Sequence, residues 1–224
     1  MCLSFFTKEL RMIYIANDVE SAGGRLGFHS TLSIGSAVIT REPIEFEEYW
    51  DRGLVFYGEL QPDLMSYDEE AMRVGCSHLE CLEEIKQKDP RYDPADKLHF
   101  SPKLVLKLMY ERCEHPVSVM RRFGTWIEKI REGKDKDIVG VTDTVFFDGG
   151  RLDLLFGLYF QNKSPYGWKG LDLNSVYRGY TQDSNAKLKQ LSVPDKRKKP
   201  HKADQDAVYL AQIGRVLLFE KMNW

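Results

Sequence analysis

The stretch from Ala203 to Leu218 constrains the fold more than any other. Ala203, Ala207, Leu210, Ala211, Gly214, Leu217 and Leu218 recur at i, i+3, i+4 and i+7, which makes one apolar stripe on a helix. Alanines and a glycine dominate that stripe, so the helix can lie close against a sheet. Asp206 falls at the edge of the stripe, where its side chain can reach a strand end without being buried unpaired. Just before the helix, Pro200-His201-Lys202 closes a lysine-rich loop, and His201 stands five residues ahead of Asp206.

At the other end, Met12 to Val19 reads as a strand, because Ile13, Tyr14 and Ile15 are β-formers without a helical period. It runs out in Asn17-Asp18-Val19-Glu20. Residues i and i+2 of an extended chain share a face, so Asp18 and Glu20 project together while Val19 turns to the core. Two adjacent carboxylates repel unless a cation lies between them, which invites a divalent metal. Ser21-Ala22-Gly23-Gly24 follows as a small-residue connection that would let a ligand's backbone approach closely.

Residues 29–40 and 54–60 give two more strands, and their short links favour an antiparallel three-strand meander. Residues 61–115 are less regular. Ser66 and Glu69 form a capping box that opens a helix through Met72, Leu79 and Leu82, Asp89-Pro90 breaks it, and Ser101-Pro102 starts another. Tyr67, Met72, Tyr92 and Phe100 of this segment are read as core in preference to a groove. From Pro116 to about Arg131 an amphipathic helix carries Val119, Met120, Phe123, Ile127 and Ile130 on one face. Ile138 to Val141 then reads as a buried parallel strand. Phe147-Asp148-Gly149-Gly150 leaves that strand as the next helix begins, with Asp153 inside the helix. Either acid could join a carboxylate cluster, and either could be a helix N-terminal or surface acid. A short strand at 170–174, a helix over 175–179 and one or two helical turns at 185–191 complete the chain.

The chain of 224 residues is long enough for a sizeable core, and no apolar run approaches a membrane span. The expected organisation is an N-terminal extension over 1–11 and a single domain over 12–224, with a largely helical insertion at about 61–115. Without a signal-peptide core, a cytoplasmic protein is expected. A net charge of −2 excludes a polycation that coats nucleic acid, yet Lys196, Arg197, Lys198, Lys199 and Lys202 crowd beside His201 and are candidates to meet a phosphate backbone. Cys76, His78, Cys81, Cys113 and His115 could supply a zinc site, but their spacings match no common finger and reduced thiols are the preferred reading.

Asp18-Val19-Glu20, then Phe147-Asp148-x-x-x-Leu152, then His201-x-Ala203-x-x-Asp206 resemble, in that order, the DEDDh family of 3′–5′ exonucleases, the group of proofreading subunits, ribonuclease T and oligoribonuclease. The resemblance spans about residues 12–222. The sister group has a tyrosine four residues before the last aspartate, and here that position is Lys202. Thr142-Asp143-Thr144 and the glycine pair after Asp148 depart from the usual middle motif. The resemblance implies an α/β, ribonuclease H-like fold: a mixed sheet, the antiparallel meander followed by parallel strands, with helices on both faces.

It also implies two divalent ions, Mg²⁺ or Mn²⁺, held by Asp18, Glu20, Asp148 and Asp206, with His201 as the general base on a mobile loop. The implied partner is a nucleic acid with a free 3′ end, single-stranded DNA or RNA, contacted through Ser21, Ala22, Gly23, Lys198, Lys199 and Lys202. The products would be 5′-mononucleotides. A non-catalytic nucleic-acid-binding module on the same fold, or a proofreading accessory to a polymerase, are the alternatives. Oligomeric state stays open, a homodimer included, and no membrane partner is expected.

Overall fold

The computed structural model describes residues 12–133, 136–160 and 164–224. The expected extension over 1–11 lies outside the described residues, as do Lys134 and Asp135 of the charged run after the central helix. A five-stranded sheet organises the molecule in the order β3-β2-β1-β4-β5. Strands β1 (Met12–Ser21), β2 (Thr31–Val38) and β3 (Val55–Glu59) form the antiparallel meander. A four-residue helix absent from the sequence reading, α1 (Glu48–Asp51), interrupts the second link. Strands β4 (Asp137–Thr142) and β5 (Gly170–Asp172) add parallel to β1 and β4.

Helix α2 (Glu69–Gly75) corrects the expected capping box. Its cap is Asp68, whose carboxylate accepts from Ala71 N–H at 2.8 Å, while the Ser66 hydroxyl is drawn away to the Phe28 carbonyl. The helix ends before Leu79, and Leu82 lies in a separate 3₁₀ turn, Glu80–Leu82. Helix α3 (Pro102–Arg112) and helix α4 (Pro116–Arg131) each start with proline at the first turn, where a missing N–H costs nothing. A π-helical turn, Val145–Gly149, leads into α5 (Gly150–Tyr159), so Asp148 sits in that turn and not at a simple strand–helix junction. Helix α6 (Leu173–Thr181) is longer than expected, and α7 (Ala203–Arg215) continues as a π-helical segment, Val216–Lys221.

Helices cover both faces. On one, Ala16, Ala37 and Val141 of the sheet pack with Leu173 and Tyr177 of α6 and with Ala207, Val208 and Ala211 of α7. On the other, Ile15, Ile34, Phe56 and Ile138 meet Val119, Phe123 and Ile127 of α4 and Phe156 of α5. Segment 61–115 has a third cluster in which Met72, Leu79, Leu82, Phe100 and Leu106 close over Ala22 and Leu32. Met72 and Phe100 are buried and Tyr92 is partly so, as core placement requires, whereas Tyr67 is exposed. Among the described residues no helix is long and apolar enough to cross a membrane.

One close approach sets where α7 begins. A Cβ on Gly35 would stand 1.9 Å from the Ala203 carbonyl oxygen, so only glycine lets the first turn of α7 rest on β2. Gly35 is also the registered partner of Asp18. The contact therefore brings the N-terminus of α7 beside the acidic end of β1.

Candidate active site

Four carboxylates from three elements converge at that end of the sheet. Asp18 and Glu20 come from β1 and straddle Val19, which is buried at 3% exposure as strand alternation predicts. Asp148, also 3% exposed, is pinned between them: its Oδ1 accepts from Val19 N–H at 3.2 Å. Asp206 comes from the first turn of α7. With His201, Gly23, Val74, Asp143 and Phe147 they line a groove of about 620 Å³. Glu20, His201 and Asp206 alone bring three ligating atoms within 4.8 Å of one another.

His201 takes a left-handed backbone conformation, φ 66°, and donates its backbone N–H to Asp206 Oδ1 at 3.3 Å and Oδ2 at 3.1 Å. Its backbone is thus fixed to the acid five residues on, while its ring is exposed to the groove. Arg197 also donates to Asp206 Oδ1, at 2.9 Å, and its guanidinium lies over the Tyr209 ring.

The cluster is electrostatically unbalanced. Burial, followed by repulsion from Glu20, Asp148, Asp206 and Asp143, pushes the Asp18 carboxyl well above the usual range. Burial and then Asp206 and Asp148 push Glu20 up to about 8. Burial and then Asp143 push Asp148 up to about 7. Asp206 is raised by burial and held back by Arg197. Asp18 Oδ2 is buried with no hydrogen-bond partner. An orphaned carboxylate oxygen among oxygen-only acidic donors suits a hard divalent cation, which would supply the missing charge and ligand field together.

Not every expected residue belongs to the groove in the same way. Asp153 is exposed on α5 and lines a different cavity with Tyr166 and Trp168. Ser21 and Gly23 line the groove, but Ala22 is fully buried beneath it. The basic run does not stand free, because its charges meet acids. Lys198 pairs with Glu47 at 3.5 Å and Lys199 with Glu83 at 2.9 Å. Lys202 is more committed. Its ammonium contacts Glu80 at 2.8 Å and the buried Asp204 at 3.4 Å, and it stands over the Tyr57 ring. Glu47, Glu80 and Glu83, far away in sequence and invisible to a local charge count, face these lysines.

Three residues of the site were not anticipated. Asp143 adds a fifth carboxylate at the groove wall, and the only hint was its place in the departing middle motif. Asp204 is buried and accepts from Trp50 Nε1 at 3.3 Å. Arg151 is fully buried at 1% exposure and donates to the carbonyls of His29, at 2.9 Å, and Gly23. It thereby ties the loop after β1 to α5, and a Cβ on Gly23 would run into the His29 ring at 2.3 Å. A charged residue directly after Gly149-Gly150 gave no pattern from which this latch could be inferred.

No protein-family model and no curated protein sequence matches the chain. Solved structures do. The nuclease domain of 3′hExo, a DEDDh family member bound to rAMP, superposes with a TM-score of 0.62 at 14% identity, over 95% of this chain and 93% of that one. Cell-death related nuclease 4 (CRN-4) gives a TM-score of 0.62 at 10% identity over 94% of this chain and 66% of that one. The zinc-bound E. coli ExoI–ssDNA complex gives 0.50 at 16% identity over 94% of this chain and 41% of that one. The fold is that of the DEDDh 3′-exonucleases.

Proposed function

On that fold, we propose that the chain is a metal-dependent 3′–5′ exonuclease that removes 5′-mononucleotides from the 3′ end of single-stranded DNA or RNA. The convergence of Asp18, Glu20, Asp148 and Asp206 on one groove, with His201 at its rim and Asp18 Oδ2 left without a partner, carries this reading. The four carboxylates would hold two divalent ions, Mg²⁺ or Mn²⁺. Bound there, such ions would lower the pKa of a water nucleophile and stabilise charge on the leaving oxygen.

The residues of the chain do the rest. The His201 ring accepts the proton of the attacking water as its oxygen bonds to phosphorus and the P–O3′ bond breaks. The departing nucleotide carries the 5′-phosphate, and O3′ of the shortened strand takes a proton from solvent to become the new 3′-hydroxyl. The Asp206 carboxylate holds the His201 backbone, so the base and a metal ligand move as one unit. Arg151 fixes the Gly23 carbonyl at the edge of the groove, which leaves small residues there for a nucleotide backbone to pass.

The test is incubation of 3′-ended single-stranded DNA and RNA with Mg²⁺ or Mn²⁺, comparing wild type with Asp18→Asn and His201→Ala. Metal-dependent shortening by wild type alone is expected, with His201→Ala folded and metal-binding but losing most turnover, in the range of 10²–10⁴-fold for a general base. Tight binding without shortening of either polymer would instead identify a binding module, and undiminished turnover by His201→Ala would remove that residue as the base.

A further inference from the structure

A second set of ligating side chains lies away from the groove, where segment 61–115 meets the sheet. Glu59 ends β3, Cys81 lies in the 3₁₀ turn after α2, and Cys113 caps the end of α3. One carboxylate oxygen and the two sulfurs all lie within 4.8 Å of one another. The ligands of a tetrahedral zinc, with Zn–S near 2.3 Å, stand about 3.5–3.8 Å apart, so a small contraction would close the set.

The carboxylate is oriented in advance. Tyr57 donates to Glu59 Oε1 at 2.6 Å, Cys81 N–H donates to Oε2 at 3.0 Å, and Glu80 N–H also reaches Oε1. Hydrogen-bonded support of this kind around a ligand is what fixes its direction in metal sites. Apart from packing against the third apolar cluster, the sulfurs meet each other and the Glu59 carboxylate. Cys113 reaches Glu59 Oε2 only at 4.0 Å, and a thiol is a weak donor in any case. Two partly buried thiols facing a fixed carboxylate therefore make poor hydrogen-bonding partners but a suitable donor set for a borderline-soft cation. Cys76, His78 and His115 stand outside it: Cys76 packs against the Met72 sulfur, and His115 Nδ1 caps α4 at Val117 N–H.

We propose that Glu59, Cys81 and Cys113 bind one thiophilic divalent cation of the zinc type, with a water completing the coordination. Two thiols exchange their protons for the dication and release those protons to solvent, so the net charge of the site is unchanged. The ion would join the end of β3 to two separate parts of the 61–115 segment. It would also brace the loop of the active site: Glu80 and Glu83, on either side of Cys81, pair with Lys202 and Lys199, on either side of His201. The proposal does not rest on nuclease activity, because this donor set shares no residue with the carboxylate groove.

The experiment is Co²⁺ titration of the reduced, metal-stripped full chain under anaerobic conditions. A thiolate-to-cobalt charge-transfer band in the near ultraviolet should saturate at a single equivalent and be displaced by Zn²⁺. Cys81→Ser and Cys113→Ser should abolish it, Glu59→Gln should weaken binding by about tenfold or more, and Cys2→Ser and Asp18→Asn should leave it intact. X-ray absorption at the zinc edge of the wild-type protein, which needs no variant to fold, should show two sulfur neighbours. No charge-transfer band at saturating Co²⁺, a band that survives loss of both cysteines, zinc without sulfur neighbours, or a Cys81–Cys113 disulfide in the freshly purified chain would each overturn the proposal. Loss of nuclease activity in Asp18→Asn with the cobalt band intact would separate this site from the proposed catalytic one.

Discussion

Replacing Asp148 with asparagine separates the cost of assembling the carboxylate cluster from its use. Asp148 is buried, accepts from Val19 N–H, and has its carboxyl raised from an ordinary 3.8 to about 7 by burial and by Asp143. Asparagine is nearly isosteric. Its carbonyl keeps the bond to Val19, and its amide can donate to the Asp143 carboxylate without needing a proton. In the metal-free protein above pH 7 both folded and unfolded wild type are ionised at this position, and the folded state bears the full penalty. At 1.36 kcal/mol per pKa unit, the rise from 3.8 to about 7 corresponds to a ceiling of ~4 kcal/mol.

The sign follows from proton uptake. At Asp148 the folded state binds more protons between pH 4 and 7, so this group's contribution to wild-type stability is fully present below 3.8, falls as pH rises through that window, and changes no further above about 7. Relaxation of the site reduces the ceiling, and half of it, ~2 kcal/mol, amounts to roughly 4–8 °C in Tm for a domain of this size. Thermal unfolding in the presence of a chelator should therefore show Asp148→Asn melting several degrees above wild type at pH 8. The gap should narrow at pH 5 and vanish near pH 3. Adding Mg²⁺ at pH 8 should raise wild type more than the variant, and nuclease activity of the variant should be lost. An apo Tm at or below wild type at pH 8, or a gap independent of pH, would refute the claim that repulsion within the cluster opposes folding.

Gly35→Ala would drive a methyl group into the Ala203 carbonyl and displace α7, so a loss of about 2–3 kcal/mol or more is expected; Tm and turnover should fall together. If turnover stays at the wild-type level, the glycine contact does not place Asp206. Arg151→Met leaves the His29 and Gly23 carbonyls without their buried donor, at about 1–3 kcal/mol for each group. Steady-state kinetics on oligonucleotides should show KM rising more than kcat falls. Lys202→Met strands the Asp204 carboxylate in a buried setting and should cost about 3–5 kcal/mol, read by denaturant unfolding. Lys198→Met, at an exposed pair, should cost at most about 1 kcal/mol. Equal effects of the two would remove the distinction drawn between them.

Local pattern alone determined most of the scaffold. The apolar face of Pro116–Arg131 and the buried run at Ile138–Val141 were legible because each is specified by neighbours within a few residues, and the meander was legible from the order of its three strands although α1 lengthens the second link. Asp18 and Glu20 were likewise placed on one side by strand alternation, and His201 and Asp206 by helix phase and spacing.

Tertiary structure decided what depends on distant partners. Asp148 and Asp153 differ little in sequence, and only the π-helical turn aims one at β1 and leaves the other at the surface. Lys202 reads as part of a free basic run until Glu80, from another segment, and Asp204 close it into an ion pair. Gly35 and Arg151 carry no local signal, because a glycine's open side and a buried arginine's acceptors exist only once another element has arrived. The sequence determined which groups could act; long-range packing decided which of them meet.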